Sequence, residues 1–407
     1  MELMSTGWHA FSAFLVLITG LSLSLLLPRY FKLTRKFGVL LYAWHTLWCM
    51  VYLWYVLNDG GDALMYYRAS FLGGVSFLNV GTHSVIALTS IFTGYFGLSL
   101  IGVFLVFNIF GYVGLLAFSG ALNAVTANKR HRLRLLALLI LLLPSVSFWS
   151  SAIGKDAISF MATGLALWAA INLRKRACLM AFAVLAMFFV RPHMAGIMII
   201  SLSVAFALHA KVPVISRILL GTISVGVGLS LVPFALQYTG VGEATDLDAL
   251  MSYVERRQGH NLQGGSSVNI SSMSLPMQLF TYMFRPLIFE ARSIFQLAAA
   301  IDNIILMYLF LIGGLSIWKG RKSPVQDTRI FLWLYAFAAW AVLAMTTANL
   351  GIAMRQKWMF APMLVYLLIS VMGSQRQVAL DQKKCSKLQD SRKVPKVFSL
   401  VDPEFKQ

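Results

Sequence analysis

Eleven apolar runs, at 8–27, 39–57, 97–119, 135–149, 157–172, 177–190, 194–209, 218–236, 296–318, 330–347 and 358–373, constrain this chain more than any motif in it. A bilayer core needs about 20 apolar residues per helical crossing. Lipid offers the backbone no hydrogen bonds, so only helices and closed barrels cross it. The runs are continuous rather than alternating, which predicts helices. The expected fold is all-α: a polytopic integral membrane protein of about 11 transmembrane helices. Composition excludes the soluble alternative, since 58% of residues are hydrophobic and 12% charged, against about 45–50% and about 25% in ordinary soluble domains. Segment 84–96 is too short to cross and reads as an interfacial or re-entrant helix. The first run lacks a basic leader and ends in PRYFKLTRK, so it reads as a stop-transfer span rather than a cleaved signal peptide.

A formal charge of +19 would suggest nucleic acid in a soluble chain. Here it sorts by connection. Alternate connections at 28–38, 120–134, 173–177, 210–217, 318–329 and the tail from 374 hold 25 Lys and Arg, and the other side holds nine. That asymmetry predicts the amino terminus outside and the carboxyl terminus in the cytoplasm, with membrane lipids and no nucleic acid as partners. One transmembrane domain covers 1–373, with outer loops at 58–96 and 237–295; residues 374–407 form a basic cytoplasmic tail expected to be disordered.

Nine Asp and Glu also fall outside, so the outer face is neutral overall yet rich in both signs. Five basic clusters border it, Arg68; Lys155; Arg191 with His193; Arg285 with Arg292; and Arg355 with Lys357, while Arg256 and Arg257 lie in the long loop. In the first outer loop Asp59 and Asp62 flank Gly60-Gly61, and Asp62 and Tyr66 share a helix face four residues apart. A carboxylate there suits orienting or deprotonating a hydroxyl; a tyrosine-rich helix also suits interfacial anchoring. Lys155 adds positive charge to the positive end of a helix, which suits either a phosphate site or a snorkelling side chain. The four runs from 135 to 209 are short, so their outer ends are expected to lie in a cavity below the surface. Loop 237–295 has a Gly/Ser/Asn-rich centre suited to a lid and returns through Arg285, Glu290 and Arg292 among aromatics. Together these clusters point to a pocket for a phosphate-bearing substrate.

Nothing supports several other chemistries. Walker, dinucleotide and HExxH patterns are absent, and no cofactor or metal is expected. Cys49, Cys178 and Cys385 offer no outer disulfide. Asp302, the one acid inside a span, reads as a polar contact within the bundle.

Four segments, GGDALMYY at 60–67, LPSVSFWSSAIGKDA at 143–157, FRPLIFEA at 284–291 and RQKWMFAP at 355–362, resemble the GT-C-like glycosyltransferases and Wzy-type polysaccharide polymerases of bacterial polysaccharide gene clusters. The more specific pieces are Trp149-Ser150-Ser151 before Lys155-Asp156, and Arg285-Pro286 before Glu290-Ala291. The resemblance implies metal-independent glycosyl transfer at the periplasmic face of the bacterial inner membrane. Its donor would be a polyprenyl-(di)phosphate-linked sugar or oligosaccharide, its acceptor a glycan hydroxyl, and other polysaccharide-assembly proteins its partners. In the GT-C pattern the acidic loop follows the first span, whereas here it follows the second. Either a leading span has been added, or the polymerases are the proper comparison.

On this reading Asp62 or Asp59 activates the acceptor hydroxyl, with Asp156 the next candidate base. Lys155, Arg191, Arg285 and Arg355 would bind the leaving phosphate. Tyr66, Trp149, His193, Glu290 and Arg292 would contact substrate. The alternative is a lipid-linked oligosaccharide flippase or other secondary transporter, which also needs a cationic cavity but usually has pseudo-symmetric halves and midplane coupling charges.

Overall fold

A computed structural model of the chain describes residues 5–72, 79–208, 267–270, 272–321, 323 and 328–373, with isolated positions between 215 and 226. Its helices are α1 (Gly7–Leu26), α2 (Arg35–Asp59), α3 (Asp62–Ala69), α4 (Thr82–Ser90), α5 (Leu100–Thr126), α6 (His131–Leu141), α7 (Pro144–Ser150), α8 (Lys155–Ile171), α9 (Ala177–Val190), α10 (Pro192–Ala207), α11 (Leu275–Phe284), α12 (Ile294–Trp318), α13 (Arg329–Thr346), α14 (Leu350–Gln356) and α15 (Ala361–Val371). Among the described residues there is no strand, and one isolated bridge joins Ser267 to Asn349. Among the described residues, six helical stretches are long and apolar enough to cross a membrane: Gly7–Arg29, Arg35–Asp59, Leu100–Thr126, His131–Ser150, Ile294–Trp318 and Arg329–Thr346. The expected span at 218–236, apart from isolated positions, the outer loop at 237–266 and the basic tail from 374 lie outside the described residues.

Caps and breakers bound several of these helices. Thr34 accepts from Phe37 N–H at the start of α2, and Ser99 accepts from Gly102 N–H at the start of α5. Run 135–149 lies within the 20-residue stretch His131–Ser150 but is not one continuous helix. Its helix ends at Leu141 and restarts at Pro144, the first residue of α7, where a missing N–H costs nothing. Segment 84–96 becomes the nine-residue α4 and a π-helical turn at Ile91–Tyr95. Gly81 N–H bonds Phe189 O at 2.6 Å, and Trp8 Nε1 donates to Phe96 O at 2.9 Å, which ties this segment to α9 and α1.

Helix α5 is the axis of the bundle, buried over most of its length and packed against α1, α2, α8 and α15. Where α5 meets α8, a Cβ on Gly164 would overlap the Gly114 carbonyl oxygen, and one on Gly114 would lie 2.7 Å from Met161 Cα. Only hydrogen fits there, so the backbones touch in the small-residue manner of membrane helices. The outer helices show the opposite character. On α1, Phe11, Phe14, Ile18, Leu21 and Leu25 are exposed at helical spacing. A stripe of that kind is at home in lipid and not in water.

Basic side chains close the helices at one end of the bundle. Buried Lys129 donates to Ile369 O at 2.5 Å and to Ser370 O and Met372 O at 2.6 Å, capping α15. Arg176 donates to Trp168 O at 2.6 Å and lies 3.8 Å above the Trp168 ring, closing α8. Cations are favourable at these carbonyl-rich termini. The candidate site lies at the other end of α8 and α15.

Candidate functional site

Four charged residues from four distant segments meet at the start of α8. Arg191 Nη2 donates to Asp156 Oδ1 at 2.6 Å, Arg355 Nε lies 3.9 Å from Asp156 Oδ2, and Arg355 Nη1 donates to Asp62 Oδ2 at 2.9 Å. The charges alternate as Arg191, Asp156, Arg355, Asp62. Accessibility rises along the series, from a side chain 10% exposed at Arg191 to one 54% exposed at Asp62. The inner pair is held in the bundle and the outer carboxylate faces out.

Local sequence explains each position. Gly60, at φ 77°, ends α2, and Asp62 begins α3 at the first turn, where a carboxylate complements the helix dipole. Asp156 occupies the same place in α8. Pro192 disfavours helical backbone at the residue before it, so the break between α9 and α10 falls on Arg191, at φ −147° and ψ 76°. Arg355 stands in the last turn of α14, where a cation is favoured.

A second contact sets Arg355 beside Asp156. Thr163, two turns beyond Asp156 on the same face of α8, donates to Met359 O at 2.7 Å, and Tyr335 OH donates to the same oxygen at 3.0 Å. Met363 N–H bonds Phe360 O instead, so these hydroxyls satisfy a carbonyl that the start of α15 leaves open. The junction between α14 and α15 is thereby fastened to the helix that carries Asp156.

Aromatic groups wall the cluster. Tyr66 is buried, and burial followed by the charges of Asp62 and Asp156 pushes its hydroxyl well above the ordinary phenol pKa. It therefore remains a donor at neutral pH. Trp149 is half-buried and packs edge-to-face on Tyr52 with centroids 5.7 Å apart. Burial opposes the charge of Arg355, but Asp156 and Asp62 outweigh it and raise its pKa above the ordinary value.

The expected site residues separate into two groups. Asp62, Asp156, Arg191 and Arg355 converge, and half-buried Lys155 and His193 are chain neighbours of Asp156 and Arg191. Arg285 and Glu290 instead bind each other: Arg285 Nε reaches the two Glu290 oxygens at 2.8 and 3.0 Å, and Nη2 also donates to Oε1. Glu290 further accepts Leu287 N–H at 2.8 Å. These bonds, Arg285 foremost, hold its carboxyl below the usual range. Arg292 is exposed, and Asp59 is exposed at the end of α2.

Lys357 does not extend the Arg355 cluster. It is 1% exposed, turned inward, and donates to Asn303 Oδ1 on α12. Burial lowers its pKa to about 8, with Asp302 opposing the shift. Asp302 Oδ2 accepts Ser145 N–H at 2.8 Å and so caps α7 from a neighbouring helix, the polar bundle contact expected of it.

Sequence reasoning missed Thr163 and Tyr335. The spacing of seven between Asp156 and Thr163 was the available signal, since it puts both on one face of α8. No protein-family model, curated protein or solved structure matches the chain.

Proposed function

We propose that the chain is a membrane-embedded glycosyltransferase of the polysaccharide-polymerase kind, and that the Asp62–Asp156–Arg191–Arg355 cluster is its active site. The supporting observation is the convergence itself: two guanidiniums and two carboxylates from α3, α8, the α9–α10 break and α14 form one chain of contacts. Guanidinium forks suit phosphate oxygens, and a half-exposed carboxylate beside them suits a general base.

In this reading an acceptor hydroxyl oxygen attacks the anomeric carbon of a polyprenyl-(di)phosphate-linked sugar. Asp62 takes the hydroxyl proton. The bond from the anomeric carbon to the phosphate oxygen breaks, and its electron pair leaves on the (di)phosphate, met by Arg355 and Arg191. Inversion follows from displacement on the opposite face. Asp156 holds the two guanidiniums in place, and no metal is required. Asp59 stands apart from the cluster, so Asp62 is the better base of the two. The wider proposal keeps about 11 spans, the amino terminus outside, and the active end at the periplasmic face of a bacterial inner membrane.

The transporter alternative needs an ionisable group near the midplane, and Asp302 is the candidate by position. Its oxygen is occupied by the start of α7. Purified protein in liposomes, given a lipid-linked repeat unit, separates the two readings. Longer glycans are expected; unchanged glycolipid moved to the opposite leaflet would establish the transporter instead.

A further inference from the structure

The wall of the cluster contains a hydroxyl that the reaction above does not use. Tyr282 on α11 is 2% exposed, its ring stacked on Phe360 at 6.1 Å between centroids and 28° between planes. Its hydroxyl finds no hydrogen-bond partner among the described residues, yet lies within electrostatic reach of Arg191 and Asp156. Helix α11 packs against α14, which carries Arg355.

Two buried guanidinium nitrogens of the cluster, Arg191 Nε and Arg355 Nε, likewise make no hydrogen bond, Arg355 Nε standing 3.9 Å from Asp156 Oδ2. A buried polar group without a partner is costly, and phenylalanine would fill the same space without that cost. Guanidinium nitrogens donate and never accept. Burial raises the Tyr282 hydroxyl well above the ordinary phenol pKa, so it too is a donor at neutral pH. Three donors on three segments ask for a ligand that only accepts. A sugar hydroxyl both donates and accepts and leaves one such donor poorly matched. A phosphate oxygen accepts from all three.

We propose that the Tyr282 hydroxyl is a substrate-contacting donor, which with Arg191 Nε and Arg355 Nε holds an oxygen of a phosphate or diphosphate group. The inference rests on the reading of this cluster as a phosphate site and adds the residue that completes it. Tyr282 is neutral, so it tightens the oxygen's geometry without adding charge to a cluster that is already balanced. It contributes more as charge gathers on the leaving oxygen.

The test compares the full-length wild type with Y282F in nanodiscs, using inorganic pyrophosphate and farnesyl diphosphate as probes. Without a probe, Y282F is expected to melt at or above the wild type, because it loses an unpartnered polar atom. With either probe that the wild type binds, Y282F is expected to bind at least about tenfold more weakly. Wild-type binding of both probes assigns recognition to the diphosphate; binding of farnesyl diphosphate alone adds the prenyl chain to it. Equal affinity of Y282F and the wild type would overturn the role of Tyr282 and leave the phosphate site standing. Melting of Y282F below the wild type without a probe would overturn it too, since the hydroxyl would then be bonded inside the protein. A wild type that binds neither probe would overturn the phosphate site and Tyr282 together. Weakened binding by Y282F in a protein that transfers no sugar would uphold Tyr282 and sink the glycosyltransferase reading.

Discussion

Replacing Asp156 or Asp62 with alanine removes one carboxylate from the same cluster, yet the structure expects very different costs. Asp156 is 18% exposed and faces Arg191, whose side chain is 10% exposed. Removing it strands a buried guanidinium and also takes the 3.9 Å attraction from Arg355. Breaking a buried pair in this way costs about 3–5 kcal/mol. Asp62 is 54% exposed, and water replaces most of what it offers Arg355. Its loss costs about 1 kcal/mol or less, as for other exposed ion pairs. The assay is thermal unfolding in detergent, followed through the fluorescence of the ten tryptophans. D156A is expected to lower the midpoint several times further than D62A. D156N, which keeps the side chain's shape and one acceptor oxygen, should fall between. Equal shifts for D62A and D156A, or a neutral D156A, would refute the graded burial on which the separation of holder and base depends.

Three further outcomes probe the scaffold. G164A places a methyl group against the Gly114 carbonyl and forces α5 and α8 apart, so it should destabilise by about 1–3 kcal/mol; an unchanged melting point would contradict the close crossing. K129M leaves the Ile369, Ser370 and Met372 carbonyls without their donor and should cost on the order of 3 kcal/mol, read from the same melts; a neutral substitution would show that the cap contributes nothing. For Glu290, whose carboxyl is held low by Arg285, the stabilisation is complete above the ordinary glutamate pKa of about 4.3 and is lost as pH falls through the lowered value. Melting points measured downward from pH 5 should therefore drop more steeply in the wild type than in E290Q, and parallel curves would argue against the ion pair.

Much of the helical layout was legible because lipid-compatible helices require long apolar runs and their ends require prolines, glycines or capping hydroxyls. Pro192 marked the break that presents Arg191, and Gly60-Gly61 marked the one that separates Asp59 from Asp62. Those two carboxylates stand three apart in sequence, but the glycine break puts them on different helices. Side-chain direction was harder to read. Arg355 and Lys357 are two residues apart, and positions so spaced on a helical turn do not share a face. One therefore joins the site while the other reaches Asn303 inside the bundle. The pairing of Arg285 with Glu290 was hidden for a different reason. Two charges five residues apart can each serve a ligand or neutralise one another, and the turn at Ile288–Glu290 brings them face to face. Tyr282 stood in an aromatic stretch whose composition reads equally well as a lipid anchor. Its unpartnered hydroxyl is visible only after folding.

The most direct test of the central claim is glycan elongation by the purified protein on a lipid-linked repeat unit, comparing wild type, D62N and R355A at matched folded protein. The wild type is expected to build longer glycans. D62N should retain the wild-type melting point and lose elongation, because the base is gone while the outer carboxylate contributes little to folding. R355A should lose elongation as well, through the leaving phosphate. Elongation by D62N and R355A at the wild-type rate would contradict the assignment of this cluster as the site of transfer.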